Sequence, residues 1–184
     1  MRIVFKICWY SIMTRKLPYR NTIKLTKKFS LDRTKVYQQS IDMEPVGLWY
    51  QFLNSHLTEF GELSWGKHIY ELKINTKCVY RINNVKELEK FNKKYGILYG
   101  KAKYPFINWV NVSKDYCGIE IKNYSTIKMD IRKLYGRKYI WTNLLWFSIF
   151  DFSSGCIWDL DAIKNVSYWG VLDGQNAVLD DQNA

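Results

Sequence analysis

The sequence predicts a single α+β domain, strand-rich and mostly antiparallel, with a few short helices. Its 184 residues are 47% hydrophobic and 17% aromatic, which is enough for one core, since a domain of roughly 150 residues buries about two-thirds of its unfolded surface. Two aromatic strings, EPVGLWY at 44–50 and SSGCIWD at 153–159, have the residue types of strands. Only residues 85–95 carry a strong helical pattern, so strands should outnumber helices.

Residues 1–21 are predicted to form an N-terminal strand or extension, and the main domain spans residues 22–169. The apolar run at 3–13 is interrupted by Lys6 and is shorter than the roughly 20 residues that cross a bilayer. It also lacks a small-x-small cleavage site. The pattern therefore predicts neither a membrane span nor a signal peptide.

The first strands of the domain are expected before residue 53. Apolar alternation at 22–25 and 34–37 favours short strands or extended loop. GLWYQF at 47–52 predicts a core strand, and Pro45 keeps the chain ahead of it extended. Residues 57–65 are predicted to form one short helix or turn.

Residues 68–74 and 78–82 are predicted to pair as a hairpin, with a turn at 75–76. The first segment alternates strictly. One face carries Ile69, Glu71 and Lys73, and the other carries Tyr70, Leu72 and Ile74.

Residues 85–95 are the clearest helix of the chain. Asn84 can cap its N-terminus, with Glu87 three residues further on. Gly96 follows as a stop signal, and residues 96–105 are predicted to be a loop. One face of the helix is apolar and carries Val85, Leu88, Phe91 and Tyr95.

Several shorter elements follow. Ile107 and Val110 have helical spacing, so residues 107–116 are predicted as a short helix, and GIEI at 118–121 as a strand. The aromatic stretch at 139–152 is too long for one ordinary strand and is interpreted as two strands with a bend.

Residues 156–158 are predicted as the last strand, after which Asp159 or Asp161 would cap a brief helix reaching Val166. The remaining segment, 170–184, contains two heptapeptides, VLDGQNA and VLDDQNA, that differ at one position. This duplicated tail is polar, acidic and without aromatics, so it is expected to be disordered.

The chain is strongly basic, with 28 Lys and Arg against 17 Asp and Glu, a formal charge of +11 and a pI near 9.4. Such a charge favours polyanionic partners: nucleic acid, nucleotide phosphates, an acidic membrane or an acidic protein. The same excess of Lys, together with abundant Ile, Asn and Tyr, is also what an A+T-rich coding sequence would produce, so charge alone does not select a partner.

The cysteines and histidines do not have the spacing of a zinc site, because there is no C-x-x-C pair and only two His. No metal is therefore expected. Cys117 and Cys156 lie in strand-like strings and are predicted to be small buried thiols, which favours a reducing compartment.

The chain lacks a phosphate loop, a dinucleotide fingerprint and a nucleophile elbow. The best-placed catalytic carboxylate is Glu120, because alternation turns it away from the layer that Ile119 and Ile121 bury. Glu71 and Asp159 are alternatives. A strand carboxylate of this kind can stabilise the positive charge of a glycosyl-transfer transition state, whereas the simpler interpretation is a solvent-facing residue of an amphipathic strand.

Two groups of lysines and arginines are interleaved with aromatics, the composition of a nucleic-acid surface. Each group is equally compatible with solubilising loops whose aromatics pack on the core. The first consists of Lys24, Lys27, Lys28, Arg33 and Lys35 with Phe29 and Tyr37, and the second of Arg132, Lys133, Arg137 and Lys138 with Tyr135 and Tyr139.

The order of several short motifs resembles an uncharacterised protein family of phages and large DNA viruses. The resemblance covers most of residues 26–166. The specific motifs are P-x-GLW at 45–49 and SGCIW at 154–158, and the weaker ones are F-x-x-x-Y at 91–95, INW at 107–109 and YCGIEI at 116–121.

This resemblance implies a fold related to ADP-ribosyltransferases, with NAD as a possible cofactor. Glu120 would then be the catalytic residue, and Lys28, Ser30, Trp49, Tyr50 and Gln51 would bind the ligand. Two departures argue against full activity: Lys28 stands where the pattern has His, and the Tyr50 and Gln51 pair stands where it has Ser.

The resemblance thus implies a viral accessory protein that acts in the host cell interior, in the cytoplasm or nucleus, or is packaged in the virion. As a degenerate transferase-like domain, it would bind a nucleotide or nucleic acid. The alternative is a non-enzymatic basic protein that binds nucleic acid or an acidic protein of the host or virus.

Overall fold

The computed structural model describes residues 21–25, 29–52, 68–173 and 176–179. It confirms the predicted α+β class, with a few short helices and sheets whose neighbouring strands are antiparallel in every described pair except one. The predicted elements at 1–20 and 57–65 lie outside the described residues. No strand forms at 34–37, where Thr34 belongs to a turn and residues 35–37 have no regular secondary structure.

The elements follow one another along the chain as five helices and eleven strands within the described ranges. The strands are β1 Asn21–Leu25, β2 Ile41–Asp42, β3 Leu48–Phe52, β4 His68–Ile74, β5 Val79–Ile82, β6 Gly96–Ile97, β7 Phe106–Asn108, β8 Gly118–Ile121, β9 Ser154–Ile157, β10 Ile163–Asp173 and β11 Asn176–Leu179. The helices are α1 Val85–Tyr95, α2 Trp109–Asp115, α3 Tyr124–Tyr135, α4 Arg137–Asn143 and α5 Leu145–Ser148, with 3-10 turns at Thr76–Cys78 and Leu160–Ala162.

The main sheet has the strand order β11-β10-β4-β1-β3-β9-β8-β5, and a smaller sheet has the order β2-β7-β6. The two aromatic strings of the sequence form β3 and β9, which lie next to each other as an antiparallel pair. Trp49 is opposite Cys156 and Tyr50 is opposite Gly155. Segments more than a hundred residues apart thus form the middle of one sheet.

The predicted hairpin of residues 68–74 and 78–82 is wrong, although both strands exist. Strand β4 pairs with β1 and β10, whereas β5 pairs in parallel with β8. Alternation fixes which side chains share a face, but it does not specify the partner strand.

The main sheet is curled, because β4 and β5 lie five places apart in it yet are joined by a short turn. In a flat sheet they would be about 24 Å apart, whereas the five residue steps from Ile74 to Val79 reach at most about 18 Å. Backbone hydrogen bonds extend the neighbouring strand pairs into this turn: Asn75 N–H donates to the Ala162 carbonyl at 2.7 Å beside β4 and β10, and Cys117 N–H to the Cys78 carbonyl at 2.8 Å beside β5 and β8.

The curl separates two apolar clusters on opposite faces of the sheet. The inner face includes Val79 of β5 and Leu72 of β4 in one cluster, together with Tyr50 and Phe52. The helices cover the other face, which we call the helical face. Its fully buried side chains include Leu88, Phe91, Trp109, Ile119, Ile121, Ile131 and Trp146.

Cys117 is not a free thiol, as the sequence predicts, but is joined to Cys78 by a disulfide with a Cα–Cα distance of 5.4 Å. The parallel register explains the pairing, because Val79 lies opposite Gly118 and the residues just before them are the two cysteines. The predicted buried thiol at Cys156 is confirmed. The prediction of a reducing compartment relied in part on a free thiol at Cys117. The disulfide weakens that prediction, since disulfides persist mainly in oxidising environments.

Helix α1 has the predicted bounds and the predicted cap. The Asn84 side chain accepts a hydrogen bond from Glu87 N–H at 3.0 Å, and Glu87 in turn accepts from Asn83 N–H at 2.7 Å. Helix α1 ends at Gly96 as predicted, but the backbone there is extended, with a φ of −71°, rather than a left-handed C-cap. Glycine fits this position because an added Cβ would collide with the carbonyl oxygen of Asn92.

The prediction of two strands at 139–152 is wrong, because this segment contributes to α4 and forms α5. An apolar run without clear periodicity does not distinguish a buried helix from a strand. Here packing decides: Trp146 is fully buried, and its indole N–H donates to the Asn92 side chain of α1 at 2.8 Å.

The C-terminal predictions also change. Asp159 caps only a single 3-10 turn, and β10 follows where a helix was expected. The duplicated tail at 170–184, expected to be disordered, is ordered in part, because the end of β10 pairs with β11 as a hairpin in which Val171 lies opposite Val178. Within the hairpin the first heptapeptide folds back on itself, with Leu172 opposite Ala177, and Val171 pairs with the first residue of the second copy.

Candidate functional site

Four residues form a row across the main sheet: Tyr50 on β3, Gly155 on β9, Glu120 on β8 and Arg81 on β5. Each is opposite the next in register. Because opposite residues point to the same face of a sheet, the three side chains of the row lie on the inner face. Tyr50 and Gly155 belong to the two aromatic strings of the sequence, and Glu120 belongs to the GIEI strand.

Glu120 is the centre of this row. The Tyr50 hydroxyl donates to its Oε1 at 2.7 Å, and Arg81 Nε donates to its Oε2 at 3.2 Å. The Glu120 side chain is 0% exposed, whereas Arg81 is 37% exposed. A buried carboxylate requires such partners, since an uncompensated buried charge is strongly destabilising.

Gly155 is what allows Tyr50 to reach Glu120. The two residues are on strands separated by β9, so their backbones are about 10 Å apart, and the phenol ring crosses β9 at the position that has no side chain. A Cβ at position 155 would collide with the Tyr50 ring and would lie 2.9 Å from the carbonyl oxygen of Ile119.

The environment keeps the Tyr50 phenol neutral. Burial raises the pKa of Tyr50 well above its usual range, and the negative charge of Glu120 raises the pKa further, while Arg81 acts in the opposite direction. Tyr50 therefore keeps its hydroxyl proton and donates its hydrogen bond to Glu120.

Glu120 points away from Ile119 and Ile121, as predicted, but it is fully buried rather than solvent-facing. Ile119 and Ile121 pack on the helical face, and Glu120 points the other way. That side is the inside of the curl, which no alternation pattern reveals. The other two carboxylates considered lie elsewhere: Glu71 is half-buried on β4, and Asp159 caps the 3-10 turn.

Among the predicted ligand-binding residues that the structure describes, Tyr50 is in direct contact with Glu120. Trp49 lies on the helical face, with its ring 5.1 Å from that of Phe150 in an edge-to-face contact. Gln51 is half-buried on that same face of β3, and Ser30 is exposed. Lys28 lies outside the described residues.

Sequence analysis missed Arg81, the charged partner of Glu120. Its only signal would have been the pairing of β5 with β8 in parallel, and the residues between these strands form α1, β6, β7 and α2 rather than a simple crossover. No short sequence motif indicates that this long segment joins two neighbouring parallel strands.

The second predicted basic group forms a continuous exposed surface at the junction of α3 and α4, which we call the basic corner. Residues 132–138 are all exposed and include four cations and no acidic residue. The rings of Tyr135 and Tyr139 stack with centroids 4.5 Å apart at an angle of 30°, and Trp141 is 60% exposed. The cations are Arg132, Lys133, Arg137 and Lys138.

The first predicted basic group is used differently in its described part. Arg33 donates to the carbonyl oxygens of Leu160 and Ile163 at 3.0 and 2.7 Å. Phe29 and Tyr37 pack against the apolar clusters, as expected of aromatics that anchor a loop. This group therefore fastens the segment before β2 to the sheet.

Within the described ranges, no cluster of three or more His, Cys, Asp or Glu residues is arranged to hold a metal ion. None of the helices described is long and apolar enough to cross a bilayer. Comparison with protein-family models, with curated proteins and with solved structures finds no match for this chain.

Proposed function

We propose that this protein is a non-enzymatic binding protein for single-stranded nucleic acid, and that the basic corner is its contact surface. The observation that carries the proposal is the unbroken exposure of residues 132–138, with four cations beside a stacked tyrosine pair. Lys and Arg bind phosphates, and exposed aromatic rings stack on unpaired bases.

The backbone conformation at Gly136 determines the geometry of the basic corner. Gly136 has a φ of +79° and ends α3 while it begins α4, and this left-handed conformation favours glycine. Its N–H donates to the Arg132 carbonyl at 3.1 Å. The turn brings the basic end of α3 against the basic start of α4, so the four cations form one patch.

Trp141 is the most exposed aromatic side chain at the basic corner. Tyr139 is half-buried and stacks on Tyr135, whose hydroxyl is held by a hydrogen bond to Glu89 that raises its pKa. The tyrosine pair is therefore fixed in place by its neighbours, whereas 60% of the Trp141 surface is free to contact a base. Stacking of one base contributes about 1–3 kcal/mol.

The test is the fluorescence anisotropy of a labelled oligothymidylate titrated with the protein at several salt concentrations. Four phosphate contacts on a single strand give a log–log salt slope near −2.8. Alanine at Arg132, Lys133, Arg137 and Lys138 together should remove most of that slope. A binding curve that does not respond to salt, or a variant that binds like the wild type, would overturn the proposal.

A matched control removes charge elsewhere. Lys86 and Lys90 are exposed on α1, and their double alanine variant should change the slope little. Trp141→Ala should weaken binding by about 5- to 150-fold at constant slope, which separates stacking from charge.

The resemblance to phage and large DNA virus proteins supports a site of action inside the host cell.

A degenerate ADP-ribosyltransferase-like activity is the second candidate. It is favoured by the direct contact between Tyr50 and Glu120, two residues that the resemblance assigns to the transferase site. The full burial of Glu120 and its bond to Arg81 weigh against it, because a ribose hydroxyl would have to displace these partners. Release of nicotinamide from NAD, lost in Glu120→Gln, would support the activity, and no release with any nucleic-acid or protein acceptor would eliminate it.

A further inference from the structure

The hairpin formed by β6 and β7 carries an exposed apolar tip on a fixed base. Strand β7 pairs with both β2 and β6, and Ile107 within it is fully buried in the helical-face cluster. Beyond this base, Leu98 is 71% exposed, Tyr99 60% and Tyr104 38%. These large side chains are near one another in the loop and contribute nothing to the core.

The chemistry of the loop is apolar and cationic at once. Lys101 and Lys103 are exposed between the two tyrosines, and residues 96–108 contain no acidic residue. A turn shapes the tip, with Ala102 N–H bonded to the Tyr99 carbonyl at 3.2 Å. Gly100, at a φ of +61°, has open space around it.

We propose that this hairpin tip, residues 98–104, binds the surface of an anionic phospholipid membrane. The lysines would contact the acidic headgroups. The tyrosines have the amphipathic rings that favour the headgroup level, and Leu98 would reach the boundary of the acyl chains. The contact is peripheral and requires no spanning helix.

Leu98 is the residue that favours lipid over nucleic acid. An aliphatic side chain gains free energy by leaving water for hydrocarbon, but it has no π-face to stack on a base. The basic corner also exposes an aliphatic residue, Leu134 at 63%, but it does so among four cations within residues 132–138. The hairpin tip has two cations beside three exposed apolar side chains, so its balance is more apolar and suits a membrane interface. The two surfaces are thus distinguished by chemistry as well as by place.

The test is flotation of the full chain with vesicles of phosphatidylcholine alone and of phosphatidylcholine with about one-third phosphatidylserine. The wild type should bind the anionic vesicles at least tenfold better. Lys101→Ala with Lys103→Ala should reduce that binding by about thirtyfold, and Leu98→Ala by about tenfold. All three positions are exposed, and circular dichroism verifies that the variants fold.

Two matched controls make the result specific. Val36→Ala trims another aliphatic side chain, which is 87% exposed, and Lys86→Ala with Lys90→Ala removes the same charge from α1. Both should bind vesicles like the wild type. The proposal is overturned if the tip variants bind vesicles normally, if the controls lose as much, or if the tip variants lose oligothymidylate binding instead.

Discussion

The Tyr50 hydroxyl lies 2.7 Å from Glu120 Oε1, although the two residues are 70 positions apart in the chain and a whole strand lies between them. The bond spans β9 and connects β3 with β8 by side chains alone. It also supplies a buried carboxylate with a neutral donor, while Arg81 supplies the charge. The row is therefore expected to stabilise the middle of the curled sheet.

Removal of the Tyr50 hydroxyl should destabilise the protein by about 1–3 kcal/mol, because the buried oxygen of Glu120 loses a donor. Urea denaturation of Tyr50→Phe measures this loss. Tyr99→Phe is the control, since Tyr99 is 60% exposed and its hydroxyl has water as an alternative partner. Equal stability of Tyr50→Phe and the wild type would contradict the role assigned to this bond.

Gly155→Ala should destabilise the protein by about 1–3 kcal/mol or more, because the new methyl group overlaps the Tyr50 ring. A double-mutant cycle with Tyr50→Leu isolates that overlap, since the shorter side chain leaves space above residue 155. We expect the cost of Gly155→Ala to fall by at least 0.5 kcal/mol in the Tyr50→Leu background. Additive costs would show that the clash is with the backbone of β8 instead.

Two tyrosine phenols should titrate at a higher pH in the folded protein than in the unfolded chain. Burial raises the pKa of Tyr124 to about 12, and burial followed by the bond to Asp115 raises the pKa of Tyr95 to about 12. A tyrosine of the unfolded chain titrates near pH 10. The folded state thus binds these protons more tightly, and the stability this contributes is complete below about pH 10 and is lost as the pH rises through about 12.

The phenolate absorbance of the wild type should therefore rise in two phases, the later one together with alkaline unfolding. Tyr95→Phe and Tyr124→Phe should each remove one equivalent from the later phase. Titration of every tyrosine near pH 10 in the folded protein would refute this assignment.

Reduction of the Cys78–Cys117 disulfide should lower stability by about 4 kcal/mol, the loop-closure entropy for a sequence separation of 39. Chemical denaturation with and without dithiothreitol gives the difference. The double variant Cys78→Ser with Cys117→Ser should be destabilised to a similar degree and should not respond to the reductant. A wild type that is indifferent to dithiothreitol would mean that the disulfide does not form.

Local features of the fold were predictable where short-range chemistry determines them. Helix α1 follows from an apolar face with a cap at Asn84, and the hydrogen bonds of its cap join residues within four positions. Strand β3 follows from its residue types. Pairing was not predictable, because the partners of β4 and β5 depend on the curl of the whole sheet. The secondary structure of the aromatic run at 139–152 was not predictable, because its apolar residues occupy both buried positions, such as Trp146, and exposed ones, such as Trp141, and so show no clear period.

The candidate site shows the same division. Alternation correctly turned Glu120 away from Ile119 and Ile121, which is a property of one strand. Its burial and its bond to Arg81 arise from two other strands and from the curl, and none of these is encoded within a short window. The basic corner was recognisable as a cluster of residue types, but its exposure depends on α3 and α4, neither of which was expected.

The empty position at Gly155 also has an evolutionary consequence. A side chain at position 155 would occupy the volume that the phenol of Tyr50 fills, so substitution at either position changes what is tolerated at the other. Related chains that retain a large aromatic residue at 50 should retain glycine at 155, and those with a small residue at 50 should accept alanine or serine. Correlated variation of these two columns would reveal the β3–β9 contact without any coordinates.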